Sequence, residues 1–288
     1  MPKVWRVVTS VIVGLGLLVC SEIVVAQQET KREITKIAGD LYRFQNNAHY
    51  SVFLVTPEGI VVTDPINAEA ARWLKAELLQ RFNVPIKYLI YSHDHRDHIA
   101  GGEVFADTAL VVAHENAKAT IIGENRPTAV PDITFSDRLI IELGGKTVEL
   151  IYVGRNHSDN SIVMRFPAER ALFAVDFIPV KAVAFRNLPD AYIPDWMESI
   201  KRVEAMDFDI LVPGHGSLGT KEDARAFREY LEELHAAVLQ AARAGQSLEE
   251  MQKTIRLDKY KDWFRYDEFL PLNIEGMYTQ IQLHRRGN

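Results

Sequence analysis

Apolar and polar positions alternate with two different periods along this chain. Residues 34–63 read as strands: Leu41-Tyr42-Arg43-Phe44, then residues 51–56, a turn at Pro57-Glu58-Gly59, and residues 60–63. Their β-branched and aromatic content, cut by Pro and Gly, predicts hairpins, and Asp64-Pro65 ends the last of them. Residues 68–82 change period. Ala71, Leu74 and Leu78 recur at helical spacing with charges between them, which predicts an amphipathic surface helix. Further strands are predicted at the apolar runs 88–91 and 110–113, in a hairpin over 138–153 turning at Gly144-Gly145, and at 161–166, 171–175 and 210–212. Helices are predicted at 195–206 and 221–244, the second stopped by Gly245. Trp263, Phe264, Tyr266 and Phe269, in the remainder, are expected to pack in the core. Strands and helices in two successive halves make this an α/β chain, and no internal repeat or low-complexity linker interrupts it after residue 33.

The first 26 residues break the pattern. Lys3 and Arg6 precede an apolar run over 7–19, and Val24-Val25-Ala26 offers a place for cleavage, so residues 1–26 read as a secretory signal peptide. The mature part, 27–288, is then expected to be one domain with a C-terminal helical extension, periplasmic or secreted. The run 7–19 falls short of the ~20 apolar residues a membrane span needs, and extending it to Val25 takes in Ser21 and Glu22. Stable membrane insertion after cleavage is not expected. Cys20 is the only cysteine, and the bulky Val19 before it disfavours a lipid attachment site. The mature chain thus has no disulfide, thiolate ligand or cysteine nucleophile.

Composition adds little to this picture. With 47% hydrophobic and 25% charged residues the chain can bury a substantial core. Without Lys3, Arg6 and Glu22 it carries 31 basic against 38 acidic side chains, a formal charge of −7, with no basic tract. Nucleic acid is therefore not an expected partner, and a small molecule is.

The chemistry concentrates in Tyr91-Ser92-His93-Asp94-His95-Arg96-Asp97-His98, which follows an apolar run and precedes Gly101-Gly102. Imidazole nitrogen and carboxylate oxygen are the donors zinc takes when no thiolate is present. Alternate residues of an extended segment share a face, so His93 and His95 can hold one ion. Asp97 and His98, at the turn into a helix, point to a second. A loop whose histidines cap a helix would explain one of them, not three together with an aspartate.

The His-x-His-x-Asp-His run resembles the signature of the metallo-β-lactamase superfamily. Three later places extend the resemblance in chain order: His157 in a loop after strand 148–153, Asp176 at the end of an apolar run, and His215 flanked by Gly214 and Gly216. It runs from about residue 41 to 216 and implies a four-layer αββα sandwich with ligand loops along one edge between two sheets. It also implies a ligand set. His93, His95 and His157 would hold one divalent ion, Asp97, His98 and His215 another, and Asp176, as in glyoxalase II-like members, would bridge both. Asp64 resembles the aspartate that supports the metal loop from behind. Members with a cysteine ligand carry it near position 176, where this chain has Asp176.

The implied function is that of an exported hydrolase, in which a water shared by two cations, zinc favoured and iron or manganese alternatives, becomes a hydroxide that attacks a lactam, lactone, ester or thioester carbonyl. Asp97 would orient it and help move its proton. Asn160, in a loop similar to that of the cysteine-ligand lactamases, and Lys181, with Arg155 and Arg186 nearby in sequence, are candidates for binding substrate. Three other readings stay open: a β-lactamase proper, a mononuclear iron oxidoreductase of the persulfide dioxygenase type, and a non-catalytic zinc-stabilised module. The flavodiiron group carries an acidic residue where this chain has His95. His114, His235 and His284 have no neighbouring ligand types, and His114 reads as structural.

Overall fold

In a computed structural model the described residues are 30–284, with Met1 and Lys3; the rest of the expected signal peptide, Cys20 included, lies outside them. The strands form two sheets. The first contains β1 (Arg32–Ala38), β2 (Leu41–Asn46), β3 (His49–Thr56), β4 (Gly59–Thr63), β5 (Ile86–Ile90), β6 (Leu110–His114) and β7 (Ile133–Phe135), side by side in chain order. β1 to β4 are antiparallel, as adjacent hairpins require, and β4 to β7 are parallel. The parallel steps cross over through α1 (Ala68–Arg81), α2 (Arg96–Ile99) and α3 (Glu115–Gly123). The second sheet has β8 (Arg138–Leu143), β9 (Lys146–Tyr152), β10 (Ile162–Phe166), β11 (Ala171–Ala174) and β12 (Ile210–Val212), in the spatial order β12-β11-β10-β9-β8. Only β12 runs parallel to its neighbour, reached through α4 (Ile193–Glu204). The chain ends with α5 (Lys221–Arg243), α6 (Leu248–Thr254) and α7 (Tyr266–His284).

Three cores show how these elements stack. Successive residues of a strand face opposite sides, and here both sides are apolar. Val52, Leu54 and Val61 of β3 and β4 meet Leu150, Met164 and Phe173 of the other sheet in a core between the sheets. Their neighbours Phe53, Ile60 and Val62 pack outward on Ala70, Leu74 and Leu78 of α1. In the second sheet Val163, Leu172 and Leu211 pack outward on Ile200, Phe227, Leu234 and Ile274 of α4, α5 and α7. The layers are therefore helix, sheet, sheet, helix, as the resemblance implied. Strands buried on both faces explain the unbroken apolar runs at 88–91 and 171–175. Each such side chain contributes about 1.5–3 kcal/mol.

Helix ends follow their caps. Asn67 accepts from the Glu69 and Ala70 amides and opens α1, which stops before Phe82, an extended residue, one short of the expected 68–82. α4 starts at Ile193, two residues before the expected 195, because Pro194 sits in its first turn. Reciprocal side-chain to backbone caps at Thr220/Asp223 and Ser247/Glu250 start α5 and α6. α3 and β7 carry too few apolar positions for their period to be read from the sequence.

Candidate metal centre and its cleft

Each residue of the implied ligand set lies just past the C-terminal end of a strand or in the short helix that follows. β5 delivers His93 and His95 and leads into Asp97 and His98 of α2; β9 leads to His157, β11 to Asp176 and β12 to His215. The fold gathers all seven into two overlapping sets, His93, His95, His157 and Asp176, and Asp97, His98, His215 and Asp176, with the donor atoms of each set within 4.8 Å of one another. Asp176 belongs to both. Its Oδ2 is 3.0 Å from His98 Nε2 and 3.7 Å from His93 Nε2, and its Oδ1 is 3.3 Å from His215 Nε2.

The local backbone is built for this approach. Asp176 and Asp64 adopt positive φ, 65° and 29°, a region that short polar side chains tolerate better than others. Ile66, at φ 70°, is held there while its amide donates to the His98 carbonyl at 2.7 Å. A Cβ on Gly214 would lie 2.6 Å from Val175, 2.9 Å from Asp176 Oδ1 and 2.9 Å from His98 Cε1, so only glycine lets the His215 loop pass.

Whether these residues fit a cation is decided by the far side of each ring. His215 Nδ1 is 2.9 Å from the Ala48 carbonyl, which can only accept, so Nδ1 carries the proton and Nε2 a lone pair. His157 Nδ1 donates to Asn156 Oδ1 at 2.8 Å, an amide oriented by its own donation to the Gly154 carbonyl. The Ser92 hydroxyl donates to Asp64 Oδ2 at 2.7 Å and so accepts from His93 Nδ1 at 2.8 Å. Three imidazoles are thus locked with Nε2 bare and turned inward, and the buried His93 Nε2, His157 Nε2 and Asp176 Oδ1 have no hydrogen-bond partner. Buried polar atoms without partners are costly. Inward lone pairs with polar support behind them are what a metal site requires. The donor set fits divalent cations.

Electrostatics agree. Burial pushes His93 well below the usual imidazole value and His157 down to about 3, which keeps both neutral, the form that ligates. Burial also works against charge on His98 and Asp176, but each is the other's counter-ion. The carboxylate raises His98 well above its ordinary value, while the charge and hydrogen bond of His98 hold Asp176 well below the carboxylate range. The imidazolium does for Asp176 what a cation would do. Asp97 is drawn down to about 2, partial burial being outweighed by the hydrogen bond from His49 and the charge of His98.

Asp64 is fully buried, accepts from the Ser92 amide and hydroxyl, and faces His98 Nδ1 at 3.6 Å, behind the metal loop as the resemblance implied. The substrate candidates are placed elsewhere. Asn160 is buried, and its amide group is spent on Asp94, accepting from the backbone at 3.0 Å and donating to the carboxylate at 2.8 Å. Lys181 is exposed and outside the cleft lining. Arg155 pairs with Asp195 and lies over Tyr192, and Arg186 lies over Phe185. His114 is structural, stacked on Tyr152 at 4.1 Å and hydrogen-bonded to the Ser136 carbonyl. His235 lies on α5, apart from both sets.

Two site features escaped the sequence reading. His49, at the start of β3, reaches Asp97 Oδ2 with Nε2 at 3.2 Å and packs on His215, ring centroids 4.6 Å apart. Nothing near it in sequence marks it, because its partners are distant along the chain. The other is a cleft of about 700 Å³ that opens from His95, Asp97, His157, Asp176 and His215 toward an apolar wall. Phe264 and Phe269 line it. Tyr266 and Phe269 are buried as expected, but Phe264 is 67% exposed at the cleft and not in the core, a correction of the expectation from composition.

Among known proteins, the family model of the metallo-beta-lactamase superfamily, which binds divalent metals and acts on small molecules, matches residues 46–215. The chain is 26% identical over 250 residues to the 2,4-dinitroanisole O-demethylase subunit alpha of Nocardioides sp. (strain JS1661), covering 83% of this chain and 76% of that one. It is 25% identical over 202 residues to the metallo-beta-lactamase type 2 of Bacteroides fragilis, covering 66% and 81%. Among solved structures, a metallo-beta-lactamase from Pontibacter korlensis superposes with a TM-score of 0.64 at 23% identity, over 70% of this chain and 99% of that one, which shows the shared fold. With a matching domain, a matching fold and both ligand sets in place, this chain belongs to the metallo-beta-lactamase superfamily.

Proposed function

We propose that the protein is an exported hydrolase that uses two divalent cations, zinc by preference, to cleave a carbonyl-based bond in a small molecule: a lactam, lactone, ester or thioester. One observation carries the reading. Two ligand sets share Asp176 at the floor of an open cleft, and two of their imidazoles, His93 and His157, present buried Nε2 atoms with no protein partner. A closed structural site would leave no room for substrate.

His93, His95 and His157 would hold one cation, Asp97, His98 and His215 the other, and Asp176 both. Cations held there would supply Lewis acidity, lowering the pKa of bound water and polarising a carbonyl oxygen. The rest falls to the chain. Asp97, half-exposed at the cleft, has a carboxylate oxygen oriented by His49 and available to accept a proton from attacking water. Asp64 and Ser92 hold the rings of His98 and His93 in place, and an apolar wall lines the cleft beyond them. Export is supported by the charged and apolar pattern of residues 1–26.

Metal analysis of purified protein followed by a panel of a lactam, a lactone, a thioester and a phosphodiester tests this. Two equivalents of zinc in a colourless protein and turnover of a carbonyl substrate are expected. One equivalent of iron with oxygen uptake would overturn it. The mass of the protein recovered from the periplasm or medium should correspond to a start at Gln27. A second reading, O-dealkylation of an aryl ether, is favoured by the extent of the match to the O-demethylase subunit, which reaches beyond the region of the family model. An aryl methyl ether in the same panel separates the two.

A further inference from the structure

The cleft wall beyond the metal ligands carries aromatic side chains, and two of them come from outside the family-matched region. Phe264 and Phe269 follow residue 215, and Phe185 lies in the segment after β11. Phe185 and Phe264 are 58% and 67% exposed. A single exposed apolar side chain is ordinary, but two at the mouth of one cleft mark a contact surface. Phe185 stands edge-on to Phe269, centroids 5.7 Å apart at 88°. Arg265 lies over both Phe264 and Phe269, its Cζ 5.4 and 4.9 Å from the ring centres, which fixes the orientation of the rings.

This wall is fastened. The Phe264 amide donates to the Lys181 carbonyl at 2.9 Å, and Ala182 and Phe264 pair as an isolated bridge. Fully buried Asn273 on α7 donates to the carbonyls of Ala184, at 2.9 Å, and Arg186, at 2.5 Å. A Cβ on Gly276 would lie 2.0 Å from the Asn187 carbonyl oxygen, so the segment rests directly on the helix. At its inner end the aromatic lining reaches the ligands: Trp196 is held by its Nε1 donation to the Phe177 carbonyl, and its ring centroid is 6.2 Å from that of His157.

We propose that this preformed wall is a seat for an aromatic ring, so that the substrate is a carbonyl compound with an aryl substituent. The aryl group stacks on Phe185 and Phe264, and the scissile bond lies at Asp97, Asp176 and His215. The assignment of the scissile bond rests on the hydrolase reading above; the aryl seat does not. Ring-on-ring contacts gain a further few-fold to about tenfold in affinity over equal apolar area, which separates an aryl occupant from an aliphatic one.

The test is a ligand-observed NMR titration of the purified protein with phenylacetamide and cyclohexylacetamide, two neutral probes of similar bulk. Phenylacetamide should bind several-fold more tightly. F185L and F264L, both at exposed positions where the fold has little to lose, should each weaken phenylacetamide by about two- to tenfold and change cyclohexylacetamide by less than about twofold. The control L110A, at an exposed position that begins β6 and lies outside the cleft lining, should change neither. Equal binding of the two probes, equal weakening of both, or binding of neither overturns the aryl seat. Aryl discrimination without turnover of any carbonyl substrate overturns the hydrolase reading and leaves the seat standing.

Discussion

The supporting contacts of the metal centre make predictions one residue at a time. Ser92 hands polarity from Asp64 to His93 through one hydroxyl. S92A should therefore lower cation affinity by about 10–100-fold, read by competition with a chromophoric chelator, because such outer partners orient a ligand and raise its basicity. D97A should abolish turnover and reduce metal content; retained activity would remove Asp97 from the site. Asn160 gives a contrary prediction. Its amide satisfies buried Asp94, so N160A should cost about 1–3 kcal/mol of stability in denaturant unfolding and leave KM unchanged. A raised KM with unchanged stability would restore Asn160 as a substrate contact. The ligand residues were legible because His and Asp crowd into residues 93–98 and recur after later apolar runs. Ser92, Asn156 and the Ala48 carbonyl were not, since any serine, asparagine or backbone oxygen looks alike until folding sets a ring beside it.

At the scale of elements, strands read well and their environment did not. Apolar runs marked β5, β6, β10, β11 and β12, and turn residues separated the hairpins, because local sterics and burial act over a few residues. Short α3 and β7 went unread for lack of a full period. The glycines beside His215 marked a close approach in the sequence, and the structure names its partners. G214A should push the loop after β12 away from Val175 and His98, lowering metal occupancy in elemental analysis while far-UV circular dichroism stays unchanged. Wild-type occupancy in G214A would show that the loop has slack.

For the whole molecule, the metal centre ties loops of both sheets together, so occupancy and stability should be linked. A cation that binds only the folded chain stabilises it by about 2.7 kcal/mol at a hundred times its dissociation constant. Prolonged chelation should accordingly lower the melting temperature, and zinc should restore it. An unchanged melting temperature would mean that the centre carries no cation under those conditions. Among the described residues no helix is long and apolar enough to cross a membrane.

The sequence by itself determined the order of most strands and helices, the apolar faces that must be buried, and four of the seven candidate ligands, His93, His95, Asp97 and His98, by type and spacing, with His157, Asp176 and His215 known through resemblance. These depend on interactions between near neighbours along the chain. Tertiary structure alone decided that Asp176 is shared by two sets, that His49 meets Asp97, that Asn160 turns away from the cleft, and that Phe264 leaves the core to line it. Each of those is a contact across many tens of residues, fixed by how the strands and sheets assemble and not by any local preference.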